Sequence, residues 1–289
     1  MNCLMKKAFV ILVLFPILIS FNSYGGWFDK NETVCGETDT QIRNGIIYLP
    51  NETEPFTGKY LCEYENGQIK SQGKFKDGKP KDKRTKWYEN GQIQSEVRYN
   101  KDGKQVGKMT SWYENGQVKS QGKFKDGKKD GKMTKWYENG QIVSEEHYKD
   151  GKKVSETKYT YHNNFQISSK INYKDGKQVG KMTSWYENGQ VKSQGKFKDG
   201  KKDGKWTWWY ENGLIKEENN LKDGIYDGKW TTWFENGQKE SERNFKWQYR
   251  ATNKGTYYLQ HGKQISWYEN GQIEKETTFK DGKCISGDC

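Results

Sequence analysis

The stretch GKMTSWYENGQ, residues 107–117, contains a six-residue string, WYENGQ, that recurs along the chain in identical or variant form. The first position of this string occurs nine times, at spacings of 24 or 25 residues with a single spacing of 34. The residues at this position are Glu63, Trp87, Trp112, Trp136, Tyr161, Trp185, Trp209, Trp233 and Trp267. Self-similarity at a fixed period is the signature of a tandem array, so the sequence predicts nine copies of one short unit.

Two turn signals alternate within each copy. Asn115-Gly116 lies inside the string, and Asp126-Gly127 ends a second marker, Phe124–Gly127. Both dipeptides indicate type I′ β-hairpins, because their residues tolerate positive φ. The unit is therefore strand, Asn-Gly turn, strand, Asp-Gly turn. The predicted fold class is all-β, an elongated and twisted single-layer antiparallel sheet of tandem β-hairpins with terminal caps.

The turns also predict a register. A two-residue turn at Asn115-Gly116 pairs Trp112 with Lys119, and a second at Asp126-Gly127 places Met133 opposite Ser120. One face then carries Met109, Tyr113, Val118, Gly122 and Phe124, while Trp112 and Lys119 share the other. Copies spaced by 25 residues are expected to hold the extra residue in the outer turn, as at Asn100–Gly103. Phe165 replaces the turn glycine of the fifth copy, which predicts a bend there.

The N-terminus has the features of a secretion signal. Lys6 and Lys7 precede an apolar run over residues 8–19, and the small residues Ser23 and Gly25 follow. This order predicts a signal peptide over residues 1–25 and hence an exported protein, periplasmic, secreted or on the cell surface. An uncleaved membrane anchor is the alternative, and the true start is open between Met1 and Met5.

The remaining chain divides into three predicted parts. Residues 26–60 cap the array, residues 61–283 form the repeats with an insertion at 240–262, and residues 284–289 form a C-terminal tail. The four cysteines of these parts are Cys35, Cys62, Cys284 and Cys289, two near each end. An even number of cysteines in an exported protein predicts disulfides, here Cys35 with Cys62 and Cys284 with Cys289. A metal site is the alternative, but the spacing matches no zinc pattern.

Composition indicates a folded protein with a thin core. Hydrophobic residues make up 31% and the mean hydropathy is −1.21, yet aromatic residues reach 15%. Disordered chains are poor in aromatic residues. The net charge of +12 becomes +10 once Lys6 and Lys7 are removed, which favours acidic partners. Export argues against nucleic acid and leaves an acidic protein, anionic lipid or an anionic cell-wall polymer.

The search for catalytic and metal-binding groups is negative. The three histidines, His147, His162 and His261, occupy unrelated places in the repeat, and His162 stands where other copies have tyrosine. No catalytic Ser-His-Asp or Cys-His arrangement is indicated. Asp126–Gly131 has two lysines between its acids and lacks the alternating carboxylates of a calcium loop. We expect no enzyme activity, no cofactor and no metal.

The repeats resemble the MORN family, specifically its bacterial variant form with the pattern Gly-Lys-x-x-x-Trp-Tyr-Glu-Asn-Gly-Gln. Residues 107–117 match the whole pattern, and residues 204–213 and 228–238 are close matches. The resemblance covers residues 56–283 and implies an elongated β-hairpin sheet with a non-catalytic interaction role. Many bacterial members are labelled antitoxin components of toxin modules, and eukaryotic relatives have been linked to phospholipid binding or scaffolding.

Aromatic residues are the predicted contact residues. The tryptophans at the first position of the string are expected to line one face, with Lys119 and Lys192 beside them, a surface suited to glycan, lipid or protein. The alternative is structural, with lysine stems covering the rings. Tryptophan, tyrosine and arginine in the insertion predict a specific protein contact, the alternative being a lengthened hairpin. The predicted binding residues are Trp112, Trp136, Trp185, Trp206, Trp208, Trp209, Trp233, Trp247, Tyr249, Arg250, Tyr257 and Tyr258.

Residues 101–132 are identical to residues 174–205, which indicates duplication of three repeats and a function distributed over a surface. Two hypotheses follow. The first is a scaffold for protein–protein interaction, antitoxin-like or immunity-like, that binds a toxin or an envelope protein. The second is an envelope-associated binder of anionic lipid or wall polymer. The sequence leaves the oligomeric state open.

Overall fold

The computed structural model describes residues 34, 35, 37–248 and 257–289. The predicted signal peptide and residues 26–33 of the predicted cap lie outside the described residues. So do Tyr249 and Arg250 and the side chains of Trp247, Tyr257 and Tyr258, all of them predicted contact residues. Their part in binding stays a prediction.

The described residues form β-strands and no helix. The strands are β1 (Gln41–Arg43), β2 (Ile46–Tyr48), β3 (Gly58–Glu63), β4 (Ile69–Lys76), β5 (Lys79–Trp87), β6 (Ile93–Tyr99), β7 (Gln105–Trp112), β8 (Val118–Lys125), β9 (Lys128–Trp136), β10 (Ile142–Lys149), β11 (Lys152–Tyr161), β12 (Ile167–Lys174), β13 (Lys177–Gln178), β14 (Gly180–Trp185), β15 (Val191–Lys198), β16 (Lys201–Trp209), β17 (Ile215–Lys222), β18 (Ile225–Trp233), β19 (Lys239–Gln248), β20 (Tyr257–Gln260), β21 (Gly262–Trp267), β22 (Ile273–Lys280) and β23 (Lys283–Gly287).

Strands β3 to β23 make one antiparallel sheet in which neighbours in sequence are neighbours in space. The short strands β13 and β20 extend outer hairpins, so β12 also pairs with β14 and β19 with β21. The sheet is open, since no described residue of β3 pairs with β23. This confirms the predicted all-β, single-layer antiparallel sheet of tandem hairpins.

The Asp-Gly turns form as predicted. Asp126 and Gly127 have φ values of 50° and 81°, and Lys125 pairs with Lys128 across the turn. Positive φ at both central residues defines a type I′ turn, whose twist matches that of the flanking strands. These turns mark the outer edge of the sheet.

The Asn-Gly turns differ from the prediction. The N–H of Gly116 donates to the Tyr113 carbonyl at 3.0 Å, and the N–H of Tyr113 donates to the Gln117 carbonyl at 2.8 Å. Only Gly116 has positive φ, 83°. The loop is thus a type I turn followed by a bulged glycine, which is the usual three-residue hairpin loop. We call the edge formed by the nine equivalent loops the turn edge.

The longer loop changes the register, and the predicted pairing of Trp112 with Lys119 was wrong. Trp112 pairs with Val118, Lys119 forms a bulge, and Ser111 pairs with Ser120. Met133 likewise lies opposite Gly122, not Ser120. The predicted pairing of Trp112 failed because the three-residue loop takes one residue more than a type I′ turn. The predicted pairing of Met133 failed because a bulge shifts the register of the outer hairpin between Gly122 and Phe124.

Two faces follow from the observed register, since paired residues project to the same side of a sheet. One face, here the tyrosine face, carries the turn tyrosines, the Ser111 and Ser120 column and the Met109, Gly122 and Met133 column. The other, the tryptophan face, carries Trp112 and Val118. Buried apolar side chains lie mainly on the tyrosine face, among them Met133, Trp206, Leu221 and Phe245.

The N-terminal end has the largest apolar cluster of the described residues, made of Val34, Phe56, Tyr60, Cys62 and Phe75. Val34 forms a parallel bridge with Tyr60 beside β3, and Cys35 is bonded to Cys62 with their Cα atoms 4.6 Å apart. At the other end Cys284 is bonded to Cys289, with Cα atoms 5.9 Å apart. These are the two pairs expected from the sequence.

The two spacings of 25 residues are accommodated differently. Asn100 Oδ1 accepts bonds from the N–H groups of Asp102 (3.0 Å) and Lys104 (2.9 Å) in a longer outer turn, which places that extra residue where it was predicted. The second spacing keeps a two-residue outer turn and lengthens β11 instead. Ser120 lies opposite Lys135, the residue before Trp136. Ser144 lies opposite Lys158, three residues before Tyr161, so the fifth turn is displaced from the fourth by two residues.

The insertion lengthens an outer hairpin. Phe245 pairs with Gln260 and Trp247 with Tyr258, beyond the point where other outer hairpins turn. Phe245 is buried against Tyr226 and Trp230, with ring centroids 5.8 Å and 5.7 Å away. The base of the insertion is therefore part of the sheet.

Candidate interaction surfaces

Hydrogen bonds along the turn edge join successive copies. The hydroxyl of Tyr113 donates to the carbonyl oxygen of Trp136, 2.8 Å away and one copy further along. The turn-linking bonds of this kind at other copies run from Tyr64 to Trp87, Tyr88 to Trp112, His162 to Trp185, Tyr186 to Trp209 and Tyr210 to Trp233. The tyrosine of the string is thus a structural residue.

The asparagine and glycine of the string are structural as well. Asn115 Oδ1 accepts a bond from the Gln117 N–H, and its Nδ2 donates to the Glu138 carbonyl of the next copy, both at 2.9 Å. Gly116 lies against the preceding copy, where an added Cβ would be 2.6 Å from Gln92 Oε1. The repeated string is therefore explained by folding, and no catalytic role is needed for it.

The turn-linking bonds are interrupted twice in the described residues. Tyr137 makes none to the fifth copy, although Gln141 Nε2 donates to the Phe165 carbonyl there, and Phe234 has no hydroxyl to reach the ninth. The array thus divides into copies one to four, copies five to eight, and copy nine. We call the two interruptions the 4/5 junction and the 8/9 junction.

At the 4/5 junction the displaced fifth turn leaves Tyr137 45% exposed. The Tyr161 hydroxyl donates backwards to the Ile142 carbonyl at 3.0 Å, and its ring meets that of Tyr137 edge-on at 6.3 Å. Phe165, in the left-handed region with φ 66°, still closes the fifth turn and is 68% exposed.

A buried carboxylate lies close to this junction. Glu146, 4% exposed, accepts bonds from Lys135 Nζ (2.9 Å) and the Tyr148 hydroxyl (3.0 Å). Burial raises the pKa of this carboxyl, but those bonds and the charges of Lys135 and Lys153 outweigh it and hold the pKa below its usual range. Burial and Glu146 raise the pKa of Tyr148 to about 12. Both carboxylate oxygens of Glu146 accept a hydrogen bond, so the network is structural.

At the 8/9 junction the tyrosine face opens into a groove of about 530 Å³. Aromatic rings of Trp230, Phe234 and Tyr268 line it together with the carboxylates of Glu240, Glu269 and Glu274. Arg243 also lines the groove, with its guanidinium 5.9 Å from the Trp230 ring centroid. We call this cavity the 8/9 groove.

The tryptophan face carries most of the predicted contact residues. Trp112, Trp136, Trp185, Trp209 and Trp233 are half-buried and occupy the same place in successive copies. They alternate with Val118, Ile142, Val191 and Ile215, so the face has an apolar stripe. Lys119 and Lys192 do not accompany this stripe, because their ammonium groups lie over Tyr113 (5.1 Å) and Tyr186 (5.3 Å) on the other face.

Two predicted contact residues lie elsewhere. Trp206 is 2% exposed, packs over Gly195 and donates from Nε1 to the Lys196 carbonyl at 3.1 Å, so it fills the core and is not available to a partner. Trp208 stacks on it at 5.7 Å. Lys202 Nζ lies 4.3 Å and 4.8 Å from the two rings, and burial there lowers its pKa.

Lysine pairs distinguish three copies on the tryptophan face. Lys59 lies opposite Lys74, Lys108 opposite Lys123 and Lys181 opposite Lys196. In five other copies the first lysine forms an ion pair with a glutamate, as Lys132 does with Glu145 and Lys229 with Glu242. Gln72, Gln121 and Gln194 replace that glutamate, so these pairs carry uncompensated positive charge.

Other functional chemistry is not evident in the part of the chain that the structure describes. There, no three His, Cys, Asp or Glu side chains converge as a metal site would require. His162 Nε2 is 2.9 Å from the Trp185 carbonyl, and His261 Nδ1 is 3.5 Å from Asp281. Among the same residues, no helix is long and apolar enough to span a membrane.

The groove residues Phe234, Glu240 and Glu274 were missed by the sequence prediction. The signal was present, since aligning the copies shows that Phe234 stands where others have tyrosine. Glu240 and Glu274 stand where Lys119 and Lys192 do. A junction between copies, though, is visible only once the turn-linking bonds are known.

Comparison with known proteins gives one informative match. Eight segments match the model of the MORN repeat variant family and together cover more than half of the chain: residues 56–77, 83–101, 105–126, 129–150, 178–199, 202–223, 226–246 and 260–281. The unmatched copy is the fifth, which contains His162 and Phe165. No curated protein matches the chain.

One solved structure similar to the chain is the Photorhabdus luminescens Tc holotoxin pore with the mutation TccC3-D651A, at 12% identity and a TM-score of 0.19. That match covers 81% of this chain but only 16% of the other.

Proposed function

The chain belongs to the MORN repeat variant family, and from this premise we propose that it is an exported, non-catalytic scaffold that binds a protein partner at the 8/9 junction. The two disulfides agree with an oxidising, extracytoplasmic location. A toxin or an envelope protein is the class of partner that this location and the family resemblance favour, which makes an immunity-like role the specific form of the proposal.

The observation that carries the proposal is the 8/9 groove. In copies one to three and five to seven, the asparagine of the string and its tyrosine, or His162 in copy five, bond to the next copy, so these groups are not free for a partner. At the 8/9 junction these bonds are missing, and aromatic rings with exposed carboxylates line a cavity beside the insertion. Concave sites with a few polar groups among aromatic side chains are typical binding sites.

The test is a pull-down with the purified chain from envelope and secreted fractions, at low and high salt, with two variants in parallel. Tyr268→Ala removes a ring of the 8/9 groove, and Tyr137→Ala removes the exposed tyrosine of the 4/5 junction. We expect one protein retained at high salt by the unmodified chain and by Tyr137→Ala, and lost with Tyr268→Ala. Equal retention by both variants would contradict the site.

The second candidate function is binding of an anionic polymer on the tryptophan face, favoured by the lysine pairs. Lys108 opposite Lys123 and Lys181 opposite Lys196 place like charges side by side, which is unfavourable unless an anion lies between them. Substituting these four lysines with glutamine should abolish binding to an anionic glycan polymer. Binding that washes off with salt in the unmodified chain would support this candidate and oppose a protein partner.

A further inference from the structure

The position occupied by Glu240 and Glu274 has a defined geometry elsewhere in the array. It is the bulge after the turn, held by Lys70, Lys119, Lys192 and Lys216 in four other copies. In each of these the lysine ammonium lies over the ring of the turn tyrosine, at 5.1–5.8 Å from its centroid. The fold therefore builds a place for a cation above an aromatic ring in copy after copy.

In copies eight and nine that cation is missing and a carboxylate stands in its place. Phe234 and Tyr268 supply the rings, and Glu240 and Glu274 replace the lysines. Neither glutamate, nor Glu269 beside them, forms an ion pair with any described residue. Three carboxylates against the single guanidinium of Arg243 leave the groove net negative in a chain of net charge +12.

Unpaired donors in and beside the groove suit a peptide. Gln264 is 7% exposed, its Nε2 has no hydrogen-bond partner, and it lines a second cavity that shares Arg243 and Ser266 with the groove. Nε1 of Trp230, a residue that lines the groove, is also buried without a partner. Such donors favour a ligand that brings acceptors, as the carbonyl groups of a peptide backbone do.

We propose that the 8/9 groove binds a basic peptide segment of a protein partner and places an arginine or lysine side chain of that segment over the Phe234 and Tyr268 rings, between Glu240 and Glu274. The proposal rests on the proposed function and names the chemistry of the partner. The guest cation takes the place that Lys119 and Lys192 fill in their own copies. Arginine fits best, because its planar group both stacks on rings and bonds carboxylates in pairs.

The test is a residue-resolved NMR titration of the isotope-labelled full chain with an amidated peptide containing three arginines, and with the same peptide carrying neutral citrulline. The variant is Glu240→Lys with Glu274→Lys, which installs the residue that other copies already accept. Glu114→Lys with Glu138→Lys is the control, since it changes the net charge equally at exposed turn positions far from the groove.

We expect shifts confined to copies eight and nine, and binding weaker by about tenfold or more for the citrulline peptide and for the groove variant. The control should bind as the unmodified chain does. Shifts scattered over the sheet, no binding of the arginine peptide, or equal weakening of variant and control would overturn the inference.

The two proposals fail separately. If the pull-down retains one partner and the groove variant retains it equally well, the partner binds elsewhere and only the inference is overturned. If the arginine peptide binds the groove but no protein is retained, the groove chemistry stands and the proposed function fails.

Discussion

Tyr113 shows how a single side chain joins two copies. Its hydroxyl bond to the Trp136 carbonyl crosses from one turn to the next, and the ring carries the Lys119 ammonium. The net contribution of such a hydrogen bond to the free energy of unfolding is about 1 kcal/mol. We predict that Tyr113→Phe lowers the free energy of unfolding by about that amount, because the Trp136 carbonyl loses a donor while the ring packing remains.

The matched control is Tyr137→Phe, because the Tyr137 hydroxyl makes no turn-linking bond in the described residues and its side chain is 45% exposed. Urea unfolding followed by tryptophan fluorescence should show a lower midpoint for Tyr113→Phe only. Equal shifts in both variants would mean that the turn-linking bond is not the source of the stability.

Phe165 is the second residue whose effect on the free energy of unfolding can be tested. It adopts φ 66° in a turn where eight copies have glycine, and its exposed side chain recovers little by burial. A bulky residue in the left-handed region destabilises the folded chain by about 1–3 kcal/mol. Glycine relieves this strain, but it also gives the unfolded chain more conformational freedom, which offsets part of the gain in stability. We predict that Phe165→Gly raises stability by about 1 kcal/mol.

Gly189→Ala in the next copy is the opposite change, because φ is 83° there and Gln166 Oε1 lies 3.4 Å from an added Cβ. It should destabilise the chain in the same unfolding measurement. A neutral or harmful Phe165→Gly would show that the ring makes a contact that outweighs the strain.

At the scale of elements, an ion pair between the buried Glu146 carboxylate and the half-exposed Lys135 lies close to the 4/5 junction. The pKa of Glu146 is held below its ordinary value of about 4.3, so its contribution is present above that pH and is lost as the pH falls through the folded pKa. Removing the charge leaves Lys135 without its partner. We predict that Glu146→Gln destabilises the chain at pH 7 by about 1–3 kcal/mol and much less at pH 3.

Unfolding in urea at both pH values measures this difference. Glu114→Gln, an exposed turn glutamate, is the control and should leave the midpoint unchanged at either pH. A destabilisation by Glu146→Gln that persists undiminished at pH 3 would assign its role to shape and not to charge.

The elements also show what the sequence can and cannot specify. The Asp126-Gly127 turn was predicted correctly because a two-residue type I′ loop is fixed by local backbone preference. The Asn115-Gly116 dipeptide carries the same local preference, yet Asn115 Oδ1 and the Tyr113 carbonyl close a longer loop that leaves Asn115 with negative φ. That choice is stabilised by the neighbouring copy, which a local pattern does not contain.

The same limit applies to identical sequence. Residues 101–107 and 174–180 have the same sequence, but the first set follows Asn100 and forms a long turn, while the second follows Tyr173 and forms a type I′ turn with Asp175 at φ 48°. One preceding side chain decides between them. The 8/9 groove was missed for a related reason. It lies at a junction where turn-linking bonds are absent, and the sequence of a single copy does not show this.

At the scale of the whole molecule, stability should follow the blocks that the turn-linking bonds define. In a repeat array each copy contacts only its neighbours, so stability is close to a sum over copies and interfaces. Interfaces with fewer bonds then open first, and local opening is read by amide hydrogen exchange. The 4/5 and 8/9 junctions are the interfaces that lack turn-linking bonds.

We therefore predict three cooperative units in native-state hydrogen exchange: copies one to four, copies five to eight, and copy nine. Amides of the first unit, such as that of Thr110, should share one free energy of opening, and amides of the second unit, such as that of Thr207, should share another. Amides along β11 and β21, at the junctions, should exchange faster. Tyr113→Phe should lower protection throughout copies one to four and leave copies five to eight unchanged, because the 4/5 junction isolates them. Uniform protection over the whole sheet, or an effect of Tyr113→Phe on copies five to eight, would show that the sheet unfolds as a single unit and that the junctions do not weaken it.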